Sequence, residues 1–90
     1  GLVNLTRAMA LELAPRVRVN CICPAVVETP MATDRIDAGT EDREEMESVQ
    51  PMGRMGQPAE IAAMALHLCG PEADWTTGSI VAVDGGVTAE

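Results

Sequence analysis

Apolar positions recur along this chain with two different periods, and the switches between them mark out its elements. Residues 2–14, "LVNLTRAMALELA", are rich in strong helix formers. Leu2, Leu5, Met9 and Leu13 recur at intervals of three and four and make one stripe. Ala8 and Leu11 form a second apolar patch away from it, and Asn4, Arg7 and Glu12 supply limited polarity. A helix apolar on two sides is expected to be buried on two sides. It either packs within one large domain or sets one face on a sheet and the other on a partner subunit. Pro15 stops it. Residues 17–23, "VRVNCIC", alternate instead: Val17, Val19, Cys21 and Cys23 share a face. Ile22 makes the far end apolar on both faces, as in strands buried in parallel sheets.

The apolar run ends abruptly at Pro24, yet the loop over residues 24–31, "PAVVETPM", keeps two valines. A loop of that composition is expected to lie against something. Residues 32–50 are weakly helical, broken at Gly39-Thr40, and are expected to be the most mobile part of the chain. The turn-rich stretch "PMGRMGQP" leads into a second helix from Pro58, a residue favoured at the first helical position, with Glu60 in the first turn. Ile61, Ala65 and Leu68 form its apolar stripe, His67 falls in the last turn as an exposed, non-catalytic residue, and Gly70 with Pro71 ends it. A connection holding Trp75 and the turn at 76–78 launch a second strand over 79–84, "SIVAVD", closed by "DGG". Asp-Gly often marks a hairpin, but only a short tail follows it. Two strands joined through a helix imply a right-handed parallel crossover, hence an α/β sheet.

Composition narrows the function classes. The chain has 90 residues and 47% apolar content, with no Phe, no Tyr and a single Trp. A core of small aliphatic residues suits helices packed closely on a parallel sheet. All six basic residues are Arg, and the net charge is −8. Such a chain is repelled by phosphate backbones and anionic bilayers, which argues against nucleic-acid and membrane-surface roles. Much of the excess lies between Asp34 and Glu47, with seven acidic residues and two arginines, and its plain reading is a solvated, mobile face. No apolar run is long enough to span a membrane. Three cysteines cannot all pair, and nothing resembles a secretory signal, so a reducing cytoplasm and buried structural thiols are expected. With one His and no second cysteine pair, no metal site is expected. The chain opens on Gly1 directly into a helical pattern, with no Met and no cap, and reads as a segment of a longer protein.

Three segments, "GLVNLTRAMALELAPRVRVNCICPAVVETPM", "PMGRMGQPAEIAAMALHLC" and "TTGSIVAVDGG", together cover nearly the whole chain. In this order and spacing the sequence resembles the C-terminal part of the short-chain dehydrogenase/reductase family, and within it the 3-oxoacyl-carrier-protein reductase and glucose dehydrogenase type. The resemblance implies the C-terminal portion of a Rossmann-type, doubly wound parallel sheet, with residues 1–90 an incomplete part of a single NAD(P)-binding domain. It implies a parent oxidoreductase that moves hydride between NAD or NADP and a small carbonyl or alcohol, commonly as a homotetramer. In the family, the loop after this strand closes over the nicotinamide half of the cofactor. That agrees with the rule that ligands of open α/β sheets sit outside the carboxyl ends of the strands.

Carried over by position, Pro24 and Ala25 make the turn, the Val27 backbone pairs with the carboxamide, and the Thr29 hydroxyl bonds near the carboxamide or pyrophosphate. Residues 31–50 become a substrate lid, and Asn20 supports the backbone rather than touching substrate. Ala25 stands where the family usually has Gly, which would cost roughly 1 kcal/mol or more if that position needs positive φ and nothing if it does not. The family's catalytic Tyr and Lys have no counterpart, because the chain contains neither residue type, so no catalytic residue is assigned and the chain alone is expected to be inactive. A reading of another class remains beside this one: a non-catalytic module whose first helix and last strand bind partner subunits.

Overall fold

In the computed structural model, which describes residues 1–89, two short strands pair in parallel. Strand β1 (Cys21–Pro24) lies beside β2 (Ile80–Val83), with Cys21 opposite Ile80 and Pro24 opposite Val83. Cys21 and Cys23 point to one face, their sulfurs 3.9 Å apart, as the alternation requires. Both strands are shorter than the sequence suggests, because side chains replace the ladder at their ends. The Val19 N–H donates to the Thr77 hydroxyl at 3.1 Å, and the Asn20 amide donates to the Thr76 carbonyl while accepting from the Ser79 N–H. Asn20 is thus a backbone support. At the other end, the Asp84 carboxylate accepts from the Gly86 and Thr88 N–H groups and the Thr88 hydroxyl, so the chain turns out of β2 instead of entering a hairpin.

Helix α1 (Leu2–Leu13) approaches this sheet through two small residues. Thr6 and Ala10 are buried, and Thr6 returns its hydroxyl to the Leu2 carbonyl at 2.8 Å. Gly78, at φ +71°, sits under Ala10: a β-carbon there would lie 3.4 Å from that of Ala10. This close approach turns the larger residues outward. The stripe of Leu2, Leu5 and Met9 is exposed, as is Leu11 on the second patch. The expected burial of both faces is therefore not realised among the described residues, where the bulky stripe is the outer face.

The insert folds as α2 (Pro30–Asp37) and α3 (Arg43–Ser48), separated at Gly39, whose φ is +77°. Helix α2 begins inside the stretch read as loop, because Thr29 caps it and Pro30 takes its first position. Helix α4 (Pro58–Cys69) turns Leu68 into the core and half-buries Ile61 and Ala65, in agreement with its apolar stripe. Its end is held by Arg18, whose guanidinium donates to the carbonyls of Leu68 at 2.7 Å, Thr76 at 3.2 Å and Gly70 at 3.4 Å. A cation there satisfies carbonyls that have no partner within the helix. Cys69, on the last turn, is exposed, so the expectation of buried thiols fails for it.

The core is thin. Among the described residues six apolar side chains are buried, and three of them are alanines (Ala10, Ala32, Ala73), beside Cys21, Met55 and Leu68. The accessible surface is 6310 Å², against roughly 5,000 Å² for a compact monomer of this mass. The radius of gyration is 15.6 Å, against about 12 Å. We expect the isolated 90-residue chain to unfold without a cooperative thermal transition by circular dichroism. A sharp transition from a soluble monomer would overturn this reading.

The start of α4 carries a second prediction. Glu60 accepts from the Gln57 N–H at 2.9 Å and pairs with both Arg54 nitrogens, at 2.7 and 3.0 Å. The Arg54 contact, with help from that N–H, lowers the Glu60 pKa from 4.5 to about 2. A carboxyl depressed in the folded state contributes stability that is complete above its unfolded value and is lost as pH falls through the folded one. Between pH 4.5 and about 2 the complete protein should therefore lose stability partly through Glu60. The Glu60→Gln variant should show a shallower acid limb in that window, and identical limbs would count against the assignment.

Candidate functional site

The loop leaving β1 is held by the turn that precedes α4. Val27 and Gly56 form a parallel bridge: the Gly56 N–H donates to the Val26 carbonyl at 3.0 Å, and the Glu28 N–H donates to the Gly56 carbonyl at 2.8 Å. Below the bridge Met55 is the most buried side chain of this stretch, at 2% exposure. The loop thus lies against residue 56 through its backbone, and its valines line the cleft described below.

Ala25 lies within this loop at negative φ, since every positive φ among the described residues belongs to a glycine. The Ala25 position carries no strain, and the substitution for Gly costs nothing in backbone conformation. Thr29 closes the loop. Its N–H donates to the Val27 carbonyl at 2.8 Å, and its hydroxyl oxygen accepts from the Ala32 N–H at 3.3 Å as the cap of α2. A hydroxyl has one donor and two acceptor sites, so the cap leaves its O–H free to donate elsewhere.

Pro24, Ala25, Val27 and Thr29 all line one cleft of about 880 Å³. The insert forms a second wall with Met31, Arg35, Met46 and Val49, and α4 a third with Ile61, Ala62 and Ala65. Its walls are mostly apolar, with Arg35, Glu41 and Glu45 as the charged groups. That combination, an apolar cleft with a few convergent polar groups at the carboxyl end of a strand, is the usual form of a small-molecule site. The adjoining end of β2 is fastened to the turn that follows α3. The Met52 N–H donates to the Gly85 carbonyl at 2.9 Å, and Gly86, at φ +94°, lies so close that a β-carbon would sit 3.1 Å from Pro51.

The structure adds residues that the sequence did not single out. Glu28 uses both carboxylate oxygens: Oε1 accepts from Arg43 on α3 at 2.8 Å, and Oε2 accepts from the Gln57 side chain at 2.7 Å. The Gln57 amide and the Arg43 guanidinium hold its pKa below the ordinary carboxylate value. Arg43 also pairs with Glu47 at 3.5 Å. Nothing local marks Glu28, because its partners lie 15 and 29 residues further along the chain. Among the described residues no group of three His, Cys, Asp or Glu side chains could hold a metal ion. Among the described residues no helix is long and apolar enough to cross a membrane.

A family model described as enoyl-(acyl carrier protein) reductase matches residues 1–88. Galactitol 2-dehydrogenase (L-tagatose-forming) of Cereibacter sphaeroides is 51% identical over 86 residues, which are 94% of this chain and 34% of that protein. The ligand-free aldohexose dehydrogenase of Thermoplasma acidophilum superposes with a TM-score of 0.87 at 32% identity, over 99% of this chain and 38% of that one. The NADP-bound structure of ElxO gives a TM-score of 0.92 over 99% of this chain and 36% of its own, at 24% identity, a likeness of fold alone. The chain spans about a third of the length of the curated relatives it matches. The sequence match, the shared fold and the cleft at the end of β1 agree: the chain belongs to the short-chain dehydrogenase/reductase family, whose C-terminal part it matches.

Proposed function

We propose that this chain is the C-terminal part of a single NAD(P)-binding domain in an oxidoreductase that moves hydride between NAD or NADP and a small carbonyl or alcohol. One observation carries the reading: the four residues assigned to the nicotinamide side from sequence, Pro24, Ala25, Val27 and Thr29, come together on one cleft. The cofactor, when bound, supplies or accepts the hydride. The chain's own residues would hold its nicotinamide end. The Val27 backbone offers hydrogen-bonding groups, Thr29 offers its free O–H, and Pro24 and Ala25 set the turn with no strained residue. Helices α2 and α3 would cover the substrate as a lid, their methionines and Val49 excluding water. The acid/base Tyr and its Lys belong to residues outside this chain, which by itself would be inactive. The activities of two relatives, on galactitol and on an aldohexose, support a small neutral polyol or sugar as the substrate.

A second reading has its own observation. The exposed apolar residues of α1, Leu2 and Leu5 on one stripe at 66% and 55% and Leu11 on the second patch at 84%, suit subunit contacts. They support assembly of the complete protein, as a homotetramer or otherwise, and are compatible with catalysis.

Thr29 tests the first reading. In the complete enzyme Thr29→Val should weaken cofactor binding roughly 2- to 100-fold, the loss of one hydrogen bond or of one with a stranded partner. The same change should lower stability by about 0.5–2 kcal/mol through the lost cap. Thr29→Ser should restore both. Fluorescence titration with NAD and NADP, beside a melting curve without cofactor, separates the two roles. A lowered melting point with unchanged affinity would leave Thr29 as a cap and remove it from the site.

The lid assignment predicts that amides of residues 34–47 exchange faster in the free enzyme than with cofactor and substrate bound. Equal exchange in both states would leave that segment as a solvated acidic face.

A further inference from the structure

We infer that Glu28 is a positioning residue, a three-way tie that holds the lid helix α3 and the start of α4 to the cofactor loop. The inference rests on the proposed nicotinamide site and assigns a residue to its support. Glu28 stands between the two residues given binding roles, Val27 and Thr29, and its own N–H is fixed to Gly56 at 2.8 Å. Its side chain therefore leaves the loop from an anchored backbone. Both carboxylate oxygens are engaged, one by Arg43 and one by Gln57, at 2.8 and 2.7 Å. The three elements so joined, the loop, α3 and the turn before α4, are otherwise separate in sequence. Two of them, with α2, form walls of the cleft.

The chemistry suits a reversible tie. Arg43 and Glu28 keep 43% and 30% of their side-chain surface exposed, so the pair is wet and individually weak. A weak tie can open to admit a ligand and close once the ligand supports the loop. The Glu28–Gln57 bond stays with the rigid bridge at Gly56, so opening would part α3 from the loop and leave the loop in place. Arg43 would then keep its other partner, Glu47, one turn along its own helix. On this geometry Glu28 acts on the cofactor through the loop and touches neither cofactor nor substrate.

Charge reversal in the complete enzyme tests this. Glu28→Arg and Arg43→Glu each replace an attraction by a repulsion and should raise the cofactor Kd about 3- to 10-fold. Each should also speed amide exchange across residues 43–48 before any cofactor is added. The double variant, Glu28→Arg with Arg43→Glu, rebuilds the pair in reverse, and Gln57 can turn its amide oxygen toward the new arginine. It should return affinity to within about 3-fold of wild type and restore the exchange pattern. Single variants with wild-type affinity and exchange would overturn the tie, as would a double variant no better than the worse single one. Wild-type protein that binds neither NAD nor NADP would instead overturn the functional reading. In that case the exchange measurement alone would still report whether Glu28 holds α3.

Discussion

Two backbone hydrogen bonds between the loop after β1 and Gly56 set the geometry on which the site depends. Without them residues 24–29 would be a free connection between a strand and a helix. With them, the loop becomes a third extended segment, parallel to the residues just before α4. Everything else at the site follows from that registration. It brings Glu28 within reach of Gln57, sets Thr29 at the start of α2, and opens the cleft between the insert and α4. Backbone groups suit this task because they are obligatory donors and acceptors whose positions do not depend on a rotamer.

The rest of the fold is governed by how closely its layers approach. Gly78 and Ala10 let α1 come down on the strand ends, and the consequence is that leucines and methionine on α1 face outward. Arg18 then performs a job that apolar packing cannot. It reaches from the segment before β1 to three carbonyls around the end of α4, tying both crossover ends together through charge-assisted bonds. A domain built this way stores little stability in its own interior. Its surplus of exposed area over a compact monomer is the counterpart of that thin interior.

Local pattern made much of this legible. The period of α4, its Pro58 start and its Gly70 stop were readable because each is a one-residue signal acting within one turn. The fold followed from a resemblance carried by three segments in order, and the same resemblance pointed to Pro24, Ala25, Val27 and Thr29. What the sequence did not show were the effects of distance. The face that α1 presents to the strands depends on Gly78, far along the chain. Strand ends were overestimated because Asn20 and Thr77 replace ladder bonds with side-chain bonds. Glu28 was unremarkable in a loop until its partners at 43 and 57 were brought to it.

The two substitutable positions of the loop show how one backbone reconciles support with binding. Ala25 adopts negative φ, so the loop's course does not require the glycine usual in the family, and the methyl group only narrows the local freedom of the unfolded chain. Thr29 resolves an apparent choice between capping and binding. The cap consumes an acceptor lone pair, binding would consume the donor, and the same rotamer that accepts from Ala32 fixes where the O–H can point. If Thr29 binds the cofactor, capping would lower the cost of recognition, because an uncapped hydroxyl would have to be ordered at the moment a ligand arrives. The helix that begins at Pro30 thus does two things at once: it forms the near wall of the cleft, and it pre-orients the polar group through which that cleft would read its ligand.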